Sequence, residues 1–382
     1  MTPTPDTTNQ TPTTNQAPAP NQTPNPKTQA PKPKHQAPGT KHQAPRIGFS
    51  VGDLAGIGPE VIYKTLLDER LLKLCTPVVY GTATALFADF PTPTDAEHLT
   101  FRQLRDAADI APGRLNAVTC WEEDFALAPG QPSAATGQAA RESLLAASRD
   151  LKAGKLDALV TAPISKDNTQ SDDFRYPGHT EFLTAFFKAP ESLMFLVDDN
   201  GLRIATVTGH VPLKDVPARL TPELLSTKIS LLLNSLKQDF GILKPRVAVL
   251  GLNPHAGENG LLGHEENDLV APVIQQFAQD GHLVFGPFPA DGYFGTQQFR
   301  QFDATLALYH DQGLIPFKLM AFERGVNFTA GLPVVRTSPD HGTAYGLAGQ
   351  FKAEESSFRA AVYLACEVWR QRWQNAQPRS VR

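Results

Sequence analysis

From Arg46 onward, short runs of β-branched and leucine residues alternate with longer stretches of helical period. By that pattern Arg46–Val51, Thr76–Tyr80, Ala117–Cys120 and Leu156–Thr161 are strands. Ser192–Asp198 and Leu202–Thr208 are two more, joined by Asp199-Asn200-Gly201, residues suited to the tight turn of a hairpin. A helix opens at Pro59, a residue favoured at the first helical position, and others cover Thr136–Ala153, His179–Phe187, Thr221–Phe240, Asp268–Gln279 and Glu355–Arg372. Strands alternating with helices predict an α/β fold with a mostly parallel sheet, split between two domains around a cleft.

Three apolar runs end alike: Leu202–Thr208 leads to Gly209-His210, Arg246–Leu252 to Asn253-Pro254-His255, and Ala304–Tyr309 to His310. Each reads as a buried strand, and ligands of open α/β sheets sit beyond the carboxyl ends of the strands. One histidine after a strand is ordinarily a loop or capping residue. Three at equivalent positions make the ligand set of an open metal site, with room for water or substrate.

The first 45 residues are different material. They lack Val, Ile, Leu, Phe, Tyr and Trp, hold 11 of the 33 prolines, and repeat Gln-(Ala/Thr)-Pro six times between Gln10 and Pro45. Such a segment cannot bury enough apolar surface to offset its ordering entropy and is expected to be a disordered tail. It has neither the apolar core of a secretory signal nor the character of an amphipathic transit helix. Its His35 and His42 read as repeat filler. The net charge of −4, without a basic stripe, argues against nucleic acid as a partner, and no stretch approaches the ~20 apolar residues that cross a bilayer. Cys75, Cys120 and Cys366 are odd in number and sit in apolar contexts, as buried thiols of a reducing compartment do, so a cytoplasmic address is expected.

After the first strand comes Gly52-Asp53-Leu54-Ala55-Gly56-Ile57-Gly58-Pro59-Glu60, whose glycine spacing is not that of a dinucleotide fingerprint. It is a tight strand-to-helix turn, which either is structural or lets backbone approach a ligand at a helix N-terminus. Gly-Ile-Gly-Pro-Glu in this place resembles the opening of the isocitrate and isopropylmalate dehydrogenase superfamily. Further motifs resemble 4-hydroxythreonine-4-phosphate dehydrogenases: Thr161-Ala162-Pro163-Ile164-Ser165-Lys166, Gly178-His179-Thr180-Glu181, Asn253-Pro254-His255-Ala256-Gly257-Glu258, Tyr309-His310-Asp311-Gln312-Gly313, Gly325–Pro333 and Arg336–Ala344. Leu54 departs from that family's more frequent proline, and the tail has no counterpart there.

The resemblance implies an α/β/α two-domain architecture with an active-site cleft. The tail would be 1–45 and the enzyme unit 46–382, with subdomains of about 46–160 plus 325–382 and of 161–324. It implies a homodimer with shared sites, NAD or NADP as cofactor, and one divalent ion per site (zinc, magnesium or cobalt) held by His210, His255 and His310. The reaction implied is oxidation of 4-phosphooxy-L-threonine at its 3-hydroxyl and decarboxylation to 3-amino-2-oxopropyl phosphate, in pyridoxal 5′-phosphate synthesis. His179, Thr180, Lys318, Asn327 and Arg336 match the family's substrate contacts.

The chemistry suits those residue types, because a divalent cation lowers the pKa of a bound hydroxyl and a phosphate needs cationic donors. Asp291 and Asp311, beside the imidazoles, are candidates for orienting them or for a general base. Lys166 is a cleft or surface lysine, His341 a candidate cofactor residue, and His98, His264 and His282 read as loop residues. His310 is taken as the ligand that crosses the dimer, with His210 and His255 kept within one chain. Rival readings are a paralogue acting on threonate or erythronate 4-phosphate, a histidine-ligated metallohydrolase, and a scaffold working through the tail.

Overall fold

In a computed structural model, which describes residues 44–87, 90, 91, 99–121 and 128–377, the alternation of the sequence becomes one layered sheet. Nearly all of the Gln/Pro-rich tail, with His35 and His42, lies outside the described residues, as does His98. Among the described residues the strands are β1 (Arg46–Ser50), β2 (Thr76–Tyr80), β3 (Arg102–Leu104), β4 (Asn116–Val118), β5 (Ala158–Thr161) and β6 (Leu193–Val197). They continue as β7 (Arg203–Thr206), β8 (Arg246–Leu250), β9 (Leu283–Phe288), β10 (Ala304–Ala307), β11 (Val326–Ala330) and β12 (Val335–Pro339). Their order across the sheet is β3-β4-β2-β1-β5-β12-β11-β6-β7-β10-β8-β9.

The pairs β12/β11, β11/β6 and β6/β7 are antiparallel, and every other neighbouring pair is parallel. Two parallel blocks therefore run in opposite directions and meet through β11 and β6. The expected hairpin is β6–β7, closed by Asp198 Oδ1, which accepts from the amides of Asn200 (3.0 Å) and Leu202 (2.6 Å), and by Gly201 at φ 88°.

Both faces of the sheet are covered, as period-2 burial requires. Ile47, Phe49, Val79, Val247 and Val249 pack in one core with the helices Gly58–Leu66, Pro222–Gln238 and Ser356–Ala376. Val78, Tyr80 and Leu159 face the other way, onto Ala134–Lys152 and His179–Phe186. On that second side Leu196 and Ile204 pack under the helix His310–Ala321. Ser133 starts the Ala134–Lys152 helix with a capping box shared with Thr136, and Thr221 caps the helix that Pro222 begins. The three thiols are free, with Cys75 and Cys366 buried and Cys120 half-buried.

The first turn is structural. A Cβ on Gly52 (φ 71°) would lie 2.3 Å from the Pro163 carbonyl oxygen, and one on Gly56 would lie 2.7 Å from that of Thr343. Its glycines make room for neighbouring backbone. Asp53, fully buried, ties the same loops together by accepting from Asn168 Nδ2 (2.6 Å) and the Tyr345 hydroxyl (2.7 Å).

Candidate active site

The runs that end in histidine are neighbours in space. β7, β10 and β8 lie side by side and parallel, so all three histidine segments leave the same edge of the sheet. Where the strand direction reverses, a cavity of about 600 Å³ lies on the sheet face under the His310–Ala321 helix. Its floor is Thr161 at the end of β5, Arg336 and Ser338 of β12, Asn327 of β11 and Met194 of β6. His179, Thr180 and Glu181, the first turn of the His179–Phe186 helix, form one wall. His310, Asp311 and Lys318 form another, and Lys166, His210 and His341 close the rim.

Arg336 governs the electrostatics. Its side chain sits in a residue 2% exposed, and its guanidinium donates to Thr161 Oγ1 (2.6 and 3.2 Å) and to Thr329 Oγ1 (3.0 Å). Among the described residues no carboxylate lies within ion-pair distance of it. Burial pulls its pKa down to about 9. Burial and the Arg336 charge hold His179 well below the usual histidine range, so it is neutral near pH 7, and its Nε2 is shielded without a hydrogen-bond partner. Asn327 Oδ1 and His341 Nε2 are likewise unpartnered. Burial also lowers His341, whose Nδ1 lies 3.0 Å from the Gly342 carbonyl, and raises the Asp340 carboxyl against the pull of Lys318.

The imidazoles of His210 and His310 face each other at 5.7 Å between ring centroids. His310 Nδ1 is 2.6 Å from Asp311 Oδ1, and His210 Nδ1 is 3.8 Å from Glu181 Oε1. The neighbouring imidazole of His210 lowers the Glu181 carboxyl more than burial raises it. His255 is elsewhere. It is exposed on the loop after β8 and does not line this cavity, and among the described residues no three His, Cys, Asp or Glu side chains gather as a metal group. Within one chain, then, His210 and His310 share the cavity and His255 stands apart from it. Asp291 too is outside the cavity, exposed on the Ala290–Gly295 helix that follows β9.

Similarity to known proteins decides the family. The model of the pyridoxal phosphate biosynthetic protein PdxA family matches residues 73–365. The chain belongs to this family. A 4-hydroxythreonine-4-phosphate dehydrogenase of Bacteroides thetaiotaomicron is 42% identical over 327 residues, covering 86% of this chain and 89% of the relative. Crystal structures of 4-hydroxythreonine-4-phosphate dehydrogenases from Klebsiella pneumoniae and Burkholderia phymatum match at TM-scores of 0.72 and 0.70, each 35% identical and each with 98% of its chain covered, against 86% and 85% of this one.

Membership in the PdxA family makes the chain an oxidoreductase of pyridoxal phosphate biosynthesis and sets aside the hydrolytic and scaffold readings of its histidines. Among the described residues no helix is long and apolar enough to cross a membrane. Of the residues singled out from sequence, His179, Thr180, Lys318, Asn327, Arg336, Lys166, Asp311 and His341 converge on the cavity with His210 and His310. Glu181 and Asp340 were missed as site residues, although both lie within or beside motifs that were read. His264 is exposed and His282 half-buried, each in a loop.

Proposed function

We propose that the chain oxidises 4-phosphooxy-L-threonine at its 3-hydroxyl, with NAD or NADP accepting the hydride, and that the β-keto acid loses carbon dioxide to give 3-amino-2-oxopropyl phosphate. The observation that carries this reading is Arg336, a buried guanidinium held only by hydroxyls at the floor of the cavity. Glu181 acts on this charge only from a distance; a buried charge without a bonded counter-ion is costly, and an arriving phosphate would supply one bidentately. Lys318, its side chain 41% exposed, adds a point charge. Asn327 and Thr180 offer neutral hydrogen bonds, and the neutral His179 presents its free Nε2. Lys166 extends the cationic rim, and His341 faces the same space, where a cofactor contact is expected.

His210 and His310 suit a divalent cation. The Nδ1 of His310 is held by Asp311, which leaves its Nε2 free to take the ion. A zinc, magnesium or cobalt ion there would lower the pKa of the substrate hydroxyl and polarise the ketone that follows. Asp311, bonded to His310, orients that imidazole and stands where a proton must leave.

The third imidazole comes, in this proposal, from the partner subunit's His255. Residues 255–259 all have positive φ, between 42° and 81°, and four of the five are not glycine. A left-handed turn of that kind is strained and persists where its surroundings enforce it, as at functional sites. Glu266, 2% exposed, does so by accepting from the amides of Leu252 (2.6 Å) and Asn253 (2.7 Å). Near this loop Leu261 is 79% exposed, while the helix that carries His310 exposes Ile315, Leu319 and Phe322 at 58%, 83% and 71%. Exposed apolar side chains beside the cavity, and Leu261 and Leu262 in the loop after His255, fit a two-fold interface that covers both. Asp291, also beyond the parallel pair β8 and β9, would approach the site from the same side. In this reading the subdomains are 46–160 plus 325–382 and 161–324, and the reversal of strand direction through β11 and β6 supports that division. NADH formed from the phosphorylated substrate, and abolished by a chelator, tests the reading.

A further inference from the structure

We infer that Glu181 reads the group on carbon 2 of the substrate and selects a 2-amino over a 2-hydroxy phosphorylated acid. The inference rests on the function proposed above. Three carboxylates line the cavity: Glu181, Asp311 and Asp340. One of them is hydrogen-bonded and one is largely enclosed. Asp311 Oδ1 is 2.6 Å from His310 Nδ1, while the Asp340 side chain is 12% exposed with its Oδ2 3.9 Å from Lys318 Nζ. Glu181 differs. Its side chain is 40% exposed, and its approach to His210 Nδ1, at 3.8 Å, is too long for a hydrogen bond.

Around it the cavity is cationic, with Arg336, Lys318 and Lys166 suited to a phosphate and a carboxylate. A phosphorylated hydroxy amino acid also brings a positive charge, its ammonium. That nitrogen sits on the carbon bonded to the one that bears the reacting hydroxyl. Whatever reads it must stand beside the imidazoles that receive the hydroxyl, and Glu181 does. An ammonium offers several charged donors to a carboxylate, whereas a hydroxyl offers one neutral donor. The 2-amino compound should therefore be favoured.

A plainer role exists for this side chain. Glu181 is the third residue of the His179–Phe186 helix, a position where an acid stabilises the N-terminus. Glu181→Gln removes the charge and keeps the size and shape of the side chain, so a loss of the charge–dipole term alone would fall equally on both compounds. The experiment measures kcat/KM of both proteins for 4-phosphooxy-L-threonine and for the analogue with a hydroxyl at carbon 2 in the same configuration. Calorimetry gives the affinity of the wild type for each compound.

The expected result is a fall of about tenfold or more in the amino-to-hydroxy preference of the variant, with the hydroxy compound changed by less than about threefold. The wild type should bind the hydroxy compound about tenfold more weakly. Equal losses on both compounds, the outcome of a purely capping or His210-supporting role, overturn the inference, and so does an unchanged preference. Equal wild-type affinities overturn it even if the variant does not fold. A wild type that oxidises neither compound overturns the functional reading itself and the inference with it. Turnover of the amino compound without an effect on preference overturns the inference alone.

Discussion

Burial pulls the Arg336 pKa downward, yet a guanidinium starts so far above neutrality that it keeps its charge. A phosphate monoester is already dianionic above about pH 6, so its own charge stays constant there. Guanidinium and phosphate therefore both keep their charges from neutral pH to about 8, and KM for the phosphorylated substrate should stay flat across that range. Replacing Arg336 by alanine should raise KM at least tenfold, since losing one partner of a buried charge pair costs on the order of 2–5 kcal/mol. An unchanged KM in that variant would remove the phosphate site from the account. From sequence alone Arg336, in Val-Val-Arg-Thr-Ser, reads as a surface charge; only the family motif pointed to it. Its burial and its want of a counter-ion come from the contact of β12 with β5 and β11, pairings between residues far apart in the chain. Glu181 escaped notice for a related reason, because an acid in a first helical turn has an ordinary local explanation.

Strands with clean apolar runs were legible, and β2 falls where the pattern placed it, over Thr76–Tyr80. Most other read boundaries shift by one to four residues, as for the helix read as Glu355–Arg372 and observed as Ser356–Ala376. Several elements were not read, four of them for local reasons. β9 contains Gly286 and Pro287, which break the strand pattern, and β11 and β12 lie in a glycine- and proline-containing block read only as motif. The His310–Ala321 helix is interrupted by Gly313 and Pro316 and has apolar residues on all sides, so its amphipathic period is blurred.

Gly313 is what lets that helix sit close to the sheet. A Cβ there would lie 2.9 Å from Ile204 Cγ2 and 3.0 Å from Ala307 Cβ. Next to it Gln312 ties the ends of two strands, accepting from the Leu308 amide (2.7 Å) and donating to the Gly251 carbonyl (2.6 Å). Gly313→Val should cost about 1–3 kcal/mol of stability by overpacking. It should also lower kcat, since His310 and Lys318 ride on the displaced helix. A normal Tm together with full activity would show that the close approach is dispensable; thermal unfolding and initial rates decide it.

At the scale of the molecule, the recurrence of histidine after three strands correctly marked three adjacent parallel strands, yet it could not reveal which imidazoles share a cavity. That depends on the direction of each loop, and the left-handed turn at 255–259 carries His255 away from His210 and His310. If the partner subunit's His255 completes each site, mixing His255→Ala with His210→Ala subunits should restore up to about half of the activity per heterodimer, one site being intact and one doubly damaged. Mixing His210→Ala with His310→Ala should restore none, because both lesions fall within one chain's cavity. Complementation by the second pair and not the first would reverse the assignment.

The reaction itself is tested by following NADH with 4-phosphooxy-L-threonine and with unphosphorylated 4-hydroxythreonine, before and after a chelator and on adding back zinc, magnesium or cobalt. The account predicts NADH and carbon dioxide from the phosphorylated compound, loss with the chelator, recovery with the metal, and little turnover without the phosphate. No NADH under any of these conditions, or equal turnover of the two compounds, would contradict it.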